Sequence, residues 1–299
     1  MENIGGQAVI EGVMMKSPTG WTVAVRSPEG VIEVKKETTK SLPKFLRLPI
    51  IRGLVALFQA LRIGIKAIEF SGTVAFEEEK DKPDNPWVFA GSIAVALILA
   101  IALFKFLPLY IATLAGSIFT VVSESPMLFN LIDGILRAVF FLVYVFAIGL
   151  WGEMRRVYQY HGAEHKAIFT YEAGEALTIE NARKYKPYHP RCGTSFLLIV
   201  MFVSIFVFFL IPQDWSFTEK LVSRLMLVPL IAGISYEVLK LSAKKKDNSL
   251  VRLVVLPGLF LQRLTVREPE DPQIEVALKA LTEVLCMSKD NTEAMTDVR

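Results

Sequence analysis

Cysteine is scarce in this chain, with only Cys192 and Cys286 among 299 residues. Two cysteines cannot make a disulfide framework, and the thiols point to a reducing compartment. Charge is scarce too. Charged residues make up 21% of the chain while hydrophobic residues reach 53%, and the mean hydropathy is +0.43. Soluble domains carry about a quarter charged residues, and here the apolar excess lies in long runs rather than amphipathic faces. Intrinsic disorder and collagen-like repetition are thereby excluded, and the composition is that of an integral membrane protein. The formal charge of +3 is too small to imply a nucleic-acid partner. No charged, apolar and small-residue regions follow one another at the start, so no cleaved signal peptide is expected.

About 20 apolar residues cross the hydrocarbon core. Four stretches meet that length, roughly 87–107, 128–151, 194–212 and 221–241. A fifth, 48–70, is interrupted by Arg52, Arg62 and Lys66 and reads as an interfacial or re-entrant helix. A sixth, 250–264, carries Arg252 and Arg263 and contains Pro257-Gly258, so it too is expected to lie in the interface or form a re-entrant hairpin. Basic residues are distributed very unevenly. Residues 1–82 hold 12, 152–193 hold 7 and 240–299 hold 10 of the 33 Lys and Arg residues, whereas 108–127 hold none and 213–220 only Lys220. The positive-inside rule then puts both termini and the central loop in the cytoplasm, around four transmembrane helices in the cytoplasmic membrane. The bilayer is the expected partner.

The fold expected is mainly α, with a small N-terminal β-hairpin unit in segment 1–47. There, Ala8-Val9-Ile10 and Val13-Met14 precede Trp21 to Val25 and Val31 to Val34, around a Ser27-Pro28-Glu29-Gly30 turn. Segment 48–86 holds the interfacial helix and a charged linker at 77–85. Spans follow in 87–151, the cytoplasmic loop in 152–193, two more spans in 194–241, and the interfacial segment plus a C-terminal helix in 242–299. That helix is expected over 272–286, because Ile274, Leu278, Leu281 and Leu285 recur at helical spacing, with a frayed end beyond it.

The central loop carries the chemistry. All three histidines, His161, His165 and His189, lie within one 29-residue window, together with Cys192. Tyr160-His161-Gly162-Ala163-Glu164-His165-Lys166 follows the second span without a proline, so a helix brings His161, Glu164 and His165 to one face. Two imidazoles one turn apart suit a tetrahedral cation, and the carboxylate between them suits a ligand or a proton-accepting base. The order H-x-x-E-H is that of the inverzincin peptidases. In Tyr188-His189-Pro190-Arg191-Cys192-Gly193, the proline and glycine form a turn able to return His189 and Cys192 toward the first two histidines. Imidazole and thiolate favour zinc or a similar transition metal. The competing reading is a purely structural cluster bonded to backbone or lipid phosphate.

Other polar residues carry two readings each. Glu153 and Glu237, at the cytoplasmic ends of two spans, either support the metal or pair with Arg155, Arg156 or Lys240. Glu11, between glycines in Gly5-Gly6-Gln7-Ala8-Val9-Ile10-Glu11-Gly12, either reaches the metal loop or ends a strand, and Arg191 sits within the second motif. Asp133 and Arg137, four apart inside a span, are either functional or an internal ion pair.

The runs G-G-Q-A-V-I-E-G-V-M-M from Gly5, H-G-A-E-H-K from His161, H-P-R-C-G-T-S-F from His189 and T-V-R-E-P from Thr265 together resemble the YqhQ family of bacterial membrane proteins. The likeness runs from Gly5 to Cys286. Members are described as uncharacterised, with a metal-dependent enzyme activity expected of them. The resemblance thus implies His161, Glu164, His165 and His189 as metal-site residues, and it supplies no substrate. Two classes follow. One is a hydrolase at the cytoplasmic membrane face, with Glu164 as its base. The other is a non-enzymatic scaffold or accessory factor for membrane-protein biogenesis or transport, which binds other membrane proteins and uses the cluster as a staple.

Overall fold

The computed structural model describes residues 3–39, 43, 46, 48–76, 86–190, 192–212, 214–244 and 249–296. The charged linker expected at 77–85 and the expected site residue Arg191 lie outside the described residues. Strands β1 (Gly5–Val9), β2 (Gly12–Lys16), β3 (Gly20–Arg26) and β4 (Ile32–Thr38) form one antiparallel sheet in chain order. The hairpins expected from sequence are therefore parts of a single meander. Gly30, at φ +87°, closes the Ser27 turn through its N–H to the Ser27 carbonyl at 2.9 Å.

Period-two alternation gives the sheet two apolar faces, and both are covered. Val13, Met15 and Ala24 pack against helices α6 (Gly152–Glu172) and α12 (Asp271–Thr296) through Tyr160, Ala163, Ala167, Ile274, Ala277 and Leu281. The Thr22 hydroxyl donates to the Ala280 carbonyl at 2.7 Å, which satisfies a buried polar group within this layer. On the other face Met14, Val23 and Val25 meet Ile63, Ala67 and Val74 of helix α1 (Ile51–Ala75). The side of α1 turned away from the sheet leaves Phe58, Leu61, Ile65 and Ile68 exposed at i, i+3, i+7 and i+10. Helix α12 continues to Thr296, beyond the expected end at 286.

The apolar helices depart from expectation in three ways. First, α2 (Pro86–Ile101), a π-helical turn (Ala102–Phe106) and α3 (Leu107–Ile118) join into an apolar helix of 29 residues, Ala90–Ile118. The expected span ended at about 107, whereas the helix runs on through Pro108. The π-turn rearranges the hydrogen bonding just ahead of the proline, so its missing N–H does not end the helix. Second, only this helix and α5 (Pro126–Ile148), which follows the short α4 (Thr120–Glu124), are each long and apolar enough among the described residues to cross a membrane; helices α9 (Phe217–Met226) and α10 (Val228–Lys244), bent by 45°, make three if counted as one span. Helix α8 (Gly193–Phe208) has 16 residues, about 24 Å at 1.5 Å per residue, and falls short of a core about 30 Å thick. Among the described residues two or three candidate spans thus meet the length and hydropathy test, against the four read from hydropathy. Third, α11 (Ser249–Thr265) runs through Pro257 as one helix and makes no hairpin. It crosses α8 so closely that a Cβ on Gly258 would lie 2.2 Å from the Ser195 hydroxyl oxygen.

Candidate metal centre

Helix α5 does not run on into α6. The chain breaks at Gly149–Trp151, where Trp151 is extended (ψ 133°), and α6 folds back so that the Tyr158 hydroxyl donates to the Val145 carbonyl at 3.3 Å. A side chain at Gly149 would meet the Tyr158 ring at 2.9 Å. The fold-back brings α6 against the sheet and α12.

On α6, His161 and His165 stand one turn apart with ring centroids separated by 4.5 Å. Each ring is oriented through Nδ1. His161 Nδ1 donates to the Thr265 carbonyl at 2.9 Å, at the end of α11, and His165 Nδ1 donates to the Pro187 carbonyl at 2.7 Å. A carbonyl accepts only, so the proton sits on Nδ1 and both Nε2 atoms carry the lone pair when neutral. One ring nitrogen of each histidine and the sulfur of Cys192 all lie within 4.8 Å of one another. His161 Nε2 is 3.1 Å from the sulfur, and His165 Nε2 is buried without a hydrogen-bond partner. Two Nδ1–H groups anchored on backbone carbonyls, with two Nε2 lone pairs converging beside a thiol, match the way proteins hold imidazoles for a metal.

Cys192 is the N-cap of α8 and lies close to the Thr194 hydroxyl and N–H, at 3.2 and 3.5 Å. Burial pushes its thiol up, but His165 and Thr194 outweigh that and hold it below the usual range. Burial pushes the His165 imidazole below its usual value, so this ring favours the neutral, ligating form. Glu164 is buried near His161 and Cys192, and desolvation pushes its carboxyl up to about 8. Its neighbour on the other side is the β1 backbone, since a Cβ on Gly6 would lie 2.7 Å from Glu164 Cγ, Cδ and Oε1.

His189 is not part of the triangle. Its ring packs against Phe169 at 4.4 Å, and its Nε2 lies 3.5 Å from the Glu172 carboxylate. The side chain of Gln262 holds its backbone from both sides, accepting from the His189 N–H and donating to its carbonyl, each at 2.8 Å. Glu11 does not reach the cluster either. It sits in the β1–β2 turn at φ +49°, pairs with Arg156 at 2.5 Å and accepts from the Tyr160 hydroxyl at 3.2 Å. The N-terminal motif therefore approaches the site with Gly6 rather than with its carboxylate. Glu237 pairs with Arg52 of α1, away from the site, and Glu153 stands exposed in the first turn of α6, about two turns before His161.

Sequence reasoning overlooked Gln262, Thr265, Gly6 and Gly162. The last is signalled within its motif, because a Cβ there would lie 2.1 Å from the Arg267 carbonyl oxygen, and only glycine lets the α11–α12 connection approach α6 so closely.

A family model described as "Protein of unknown function (DUF1385)" matches residues 48–287. The "Uncharacterized protein YqhQ" of Bacillus subtilis (strain 168) is 34% identical, the alignment covering 94% of this chain and 92% of the relative. No solved structure matches the chain.

Proposed function

The chain belongs to the DUF1385 family, whose description names no activity, and we propose from its geometry that it is a metal-dependent hydrolase at the cytoplasmic face of the membrane. One observation carries this reading. Three donor atoms, from His161, His165 and Cys192, converge, while His189 turns to Glu172. Catalytic zinc sites use three protein ligands and keep a fourth position open, whereas structural sites close with four. Among common ions, zinc best suits a set of two imidazole nitrogens and one thiolate sulfur.

A bound cation of this kind supplies Lewis acidity and lowers the pKa of a coordinated water. The protein's own groups do the rest. The Thr265 and Pro187 carbonyls hold the rings in the ligating tautomer. Glu164, walled in by Gly6, holds or moves a proton at its carboxyl beside His161 and Cys192. The N-terminal sheet, the central helix α6 and the C-terminal helix α12 share one core, which supports their lying on one side of the bilayer. The excess of basic residues in these segments makes that side cytoplasmic. The exposed apolar stripe of α1 supports a substrate that is itself lipid-linked or a membrane protein.

Elemental analysis of the purified protein tests the site. About one zinc per chain is expected in wild type and in His189→Ala, and none in His161→Ala, His165→Ala or Cys192→Ser; equal content in all would overturn it. The catalytic role is tested by Glu164→Gln, which keeps size but cannot accept a proton. It should retain metal and melting temperature yet fail to complement loss of the wild-type protein. A stable, metal-loaded and fully complementing Glu164→Gln would end the hydrolase reading and leave the scaffold or accessory factor.

A further inference from the structure

Of the 33 Lys and Arg residues, 29 lie in the segments read as cytoplasmic, and the remaining four are Lys105, Arg137, Lys220 and Arg224. Three of these four meet inside the helical bundle. The guanidinium carbons of Arg137 and Arg224 each lie 4.9 Å from the Phe208 ring centroid, and Lys105 Nζ lies 5.4 Å from it. Arg137 pairs with Asp133 and donates to the Ser204 hydroxyl at 2.9 Å. Arg224 lies 2.9 Å from the other Asp133 oxygen and donates to Asn130 Oδ1 at 3.0 Å.

The charges do not balance. Among the described residues, Asp133 is the one carboxylate paired with these three cations, and Lys105 has no ion pair or hydrogen bond. Both guanidiniums are buried, and the Nε of each lacks an acceptor. The Phe208 ring lowers the cost of nearby cations but supplies no counter-charge. Excess positive charge in a low-dielectric interior calls for an anion, and ionisable groups among membrane helices mark functional sites. The backbone is irregular at the same place. Lys105 lies in the π-helical turn, and Arg224 lies two residues before the end of α9, where α9 and α10 bend by 45°. Interrupted helices are where membrane proteins build ligand sites.

We propose that Arg137, Arg224 and Lys105 form a binding site within the bundle for a small oxyanion of carboxylate or phosphate type. Guanidinium Nε–H donors suit oxyanions, and the ammonium adds a point charge. The inference is independent of the metal centre.

The test is thermal unfolding of the purified full-length protein in detergent, titrated with inorganic phosphate and separately with acetate at constant ionic strength. A saturable rise in Tm is expected with at least one, and the more effective anion identifies the class. Because Lys105 is unpaired, Lys105→Gln should fold and need about tenfold more anion for half-saturation. Lys105→Glu supplies the missing counter-charge covalently, so it should melt above wild type without added anion and gain nothing from it. No saturable rise with either anion, or an equal rise in wild type and both variants, would overturn the proposal.

Discussion

Around the sheet, apolar side chains such as Val13, Val23 and Val25 point inward, and the ion pairs Arg26–Glu275 and Arg183–Asp271 lie at the surface. Along α2, α5 and α8 the pattern reverses. Leu97, Ile98, Val143 and Phe206 face outward, while Asp133 and Arg137 of α5 are buried, as is Arg224 of the adjoining α9. One chain thus follows opposite rules in two regions. The reversal is compatible with one region facing water and the other lipid, since lipid tolerates exposed leucine and penalises exposed charge.

The strongest challenge to this comparison is Asp133→Ala, which leaves two buried guanidiniums without their carboxylate. A loss of about 3–5 kcal/mol is expected, or failure to accumulate folded protein, as read by thermal unfolding in detergent. Next in size is the first of two matched substitutions. Val139 of α5 and Val31 before β4 are 49% and 57% exposed, so water alone would treat them alike. If α5 faces lipid, Val139→Asp should cost about 2.5–3.5 kcal/mol in a membrane-insertion assay. Gly162→Ala follows. The added methyl meets a backbone carbonyl that cannot swing aside, so a loss of about 1–3 kcal/mol is expected, together with reduced metal content as the α11 end carrying Thr265 is pushed off His161. The smallest effect belongs to Val31→Asp, which should change stability by no more than about 0.5 kcal/mol. Equal, small effects at Val139 and Val31 would dissolve the distinction.

The strands were legible because alternation of side chains has only one geometric meaning, but that Val13, Met14 and Met15 are all buried was not, since α6 and α12 cover one face and α1 the other. His161 and His165 were legible together because i and i+4 on a helix must share a face. His189 was not, because its direction depends on Gln262, 73 residues further along the chain, and on Phe169 and Glu172. Glu11 misled for a similar reason: its nearest cation, Arg156, arrives from α6 only after folding. Pro257 was read as a break on local propensity, yet α11 runs through it and packs closely on α8.

By itself the sequence determined which segments are apolar enough to leave water, which residues alternate or recur with helical period, and that every histidine falls beside Cys192. These properties depend on neighbours within a few residues, so they survive without a fold. Only the tertiary structure decided that three rather than four donors converge, that Gly6 walls Glu164 and that Arg224 joins Asp133 and Arg137. Each depends on the approach of chain segments far apart in sequence, where a shift of about 1 Å separates a ligand from a bystander.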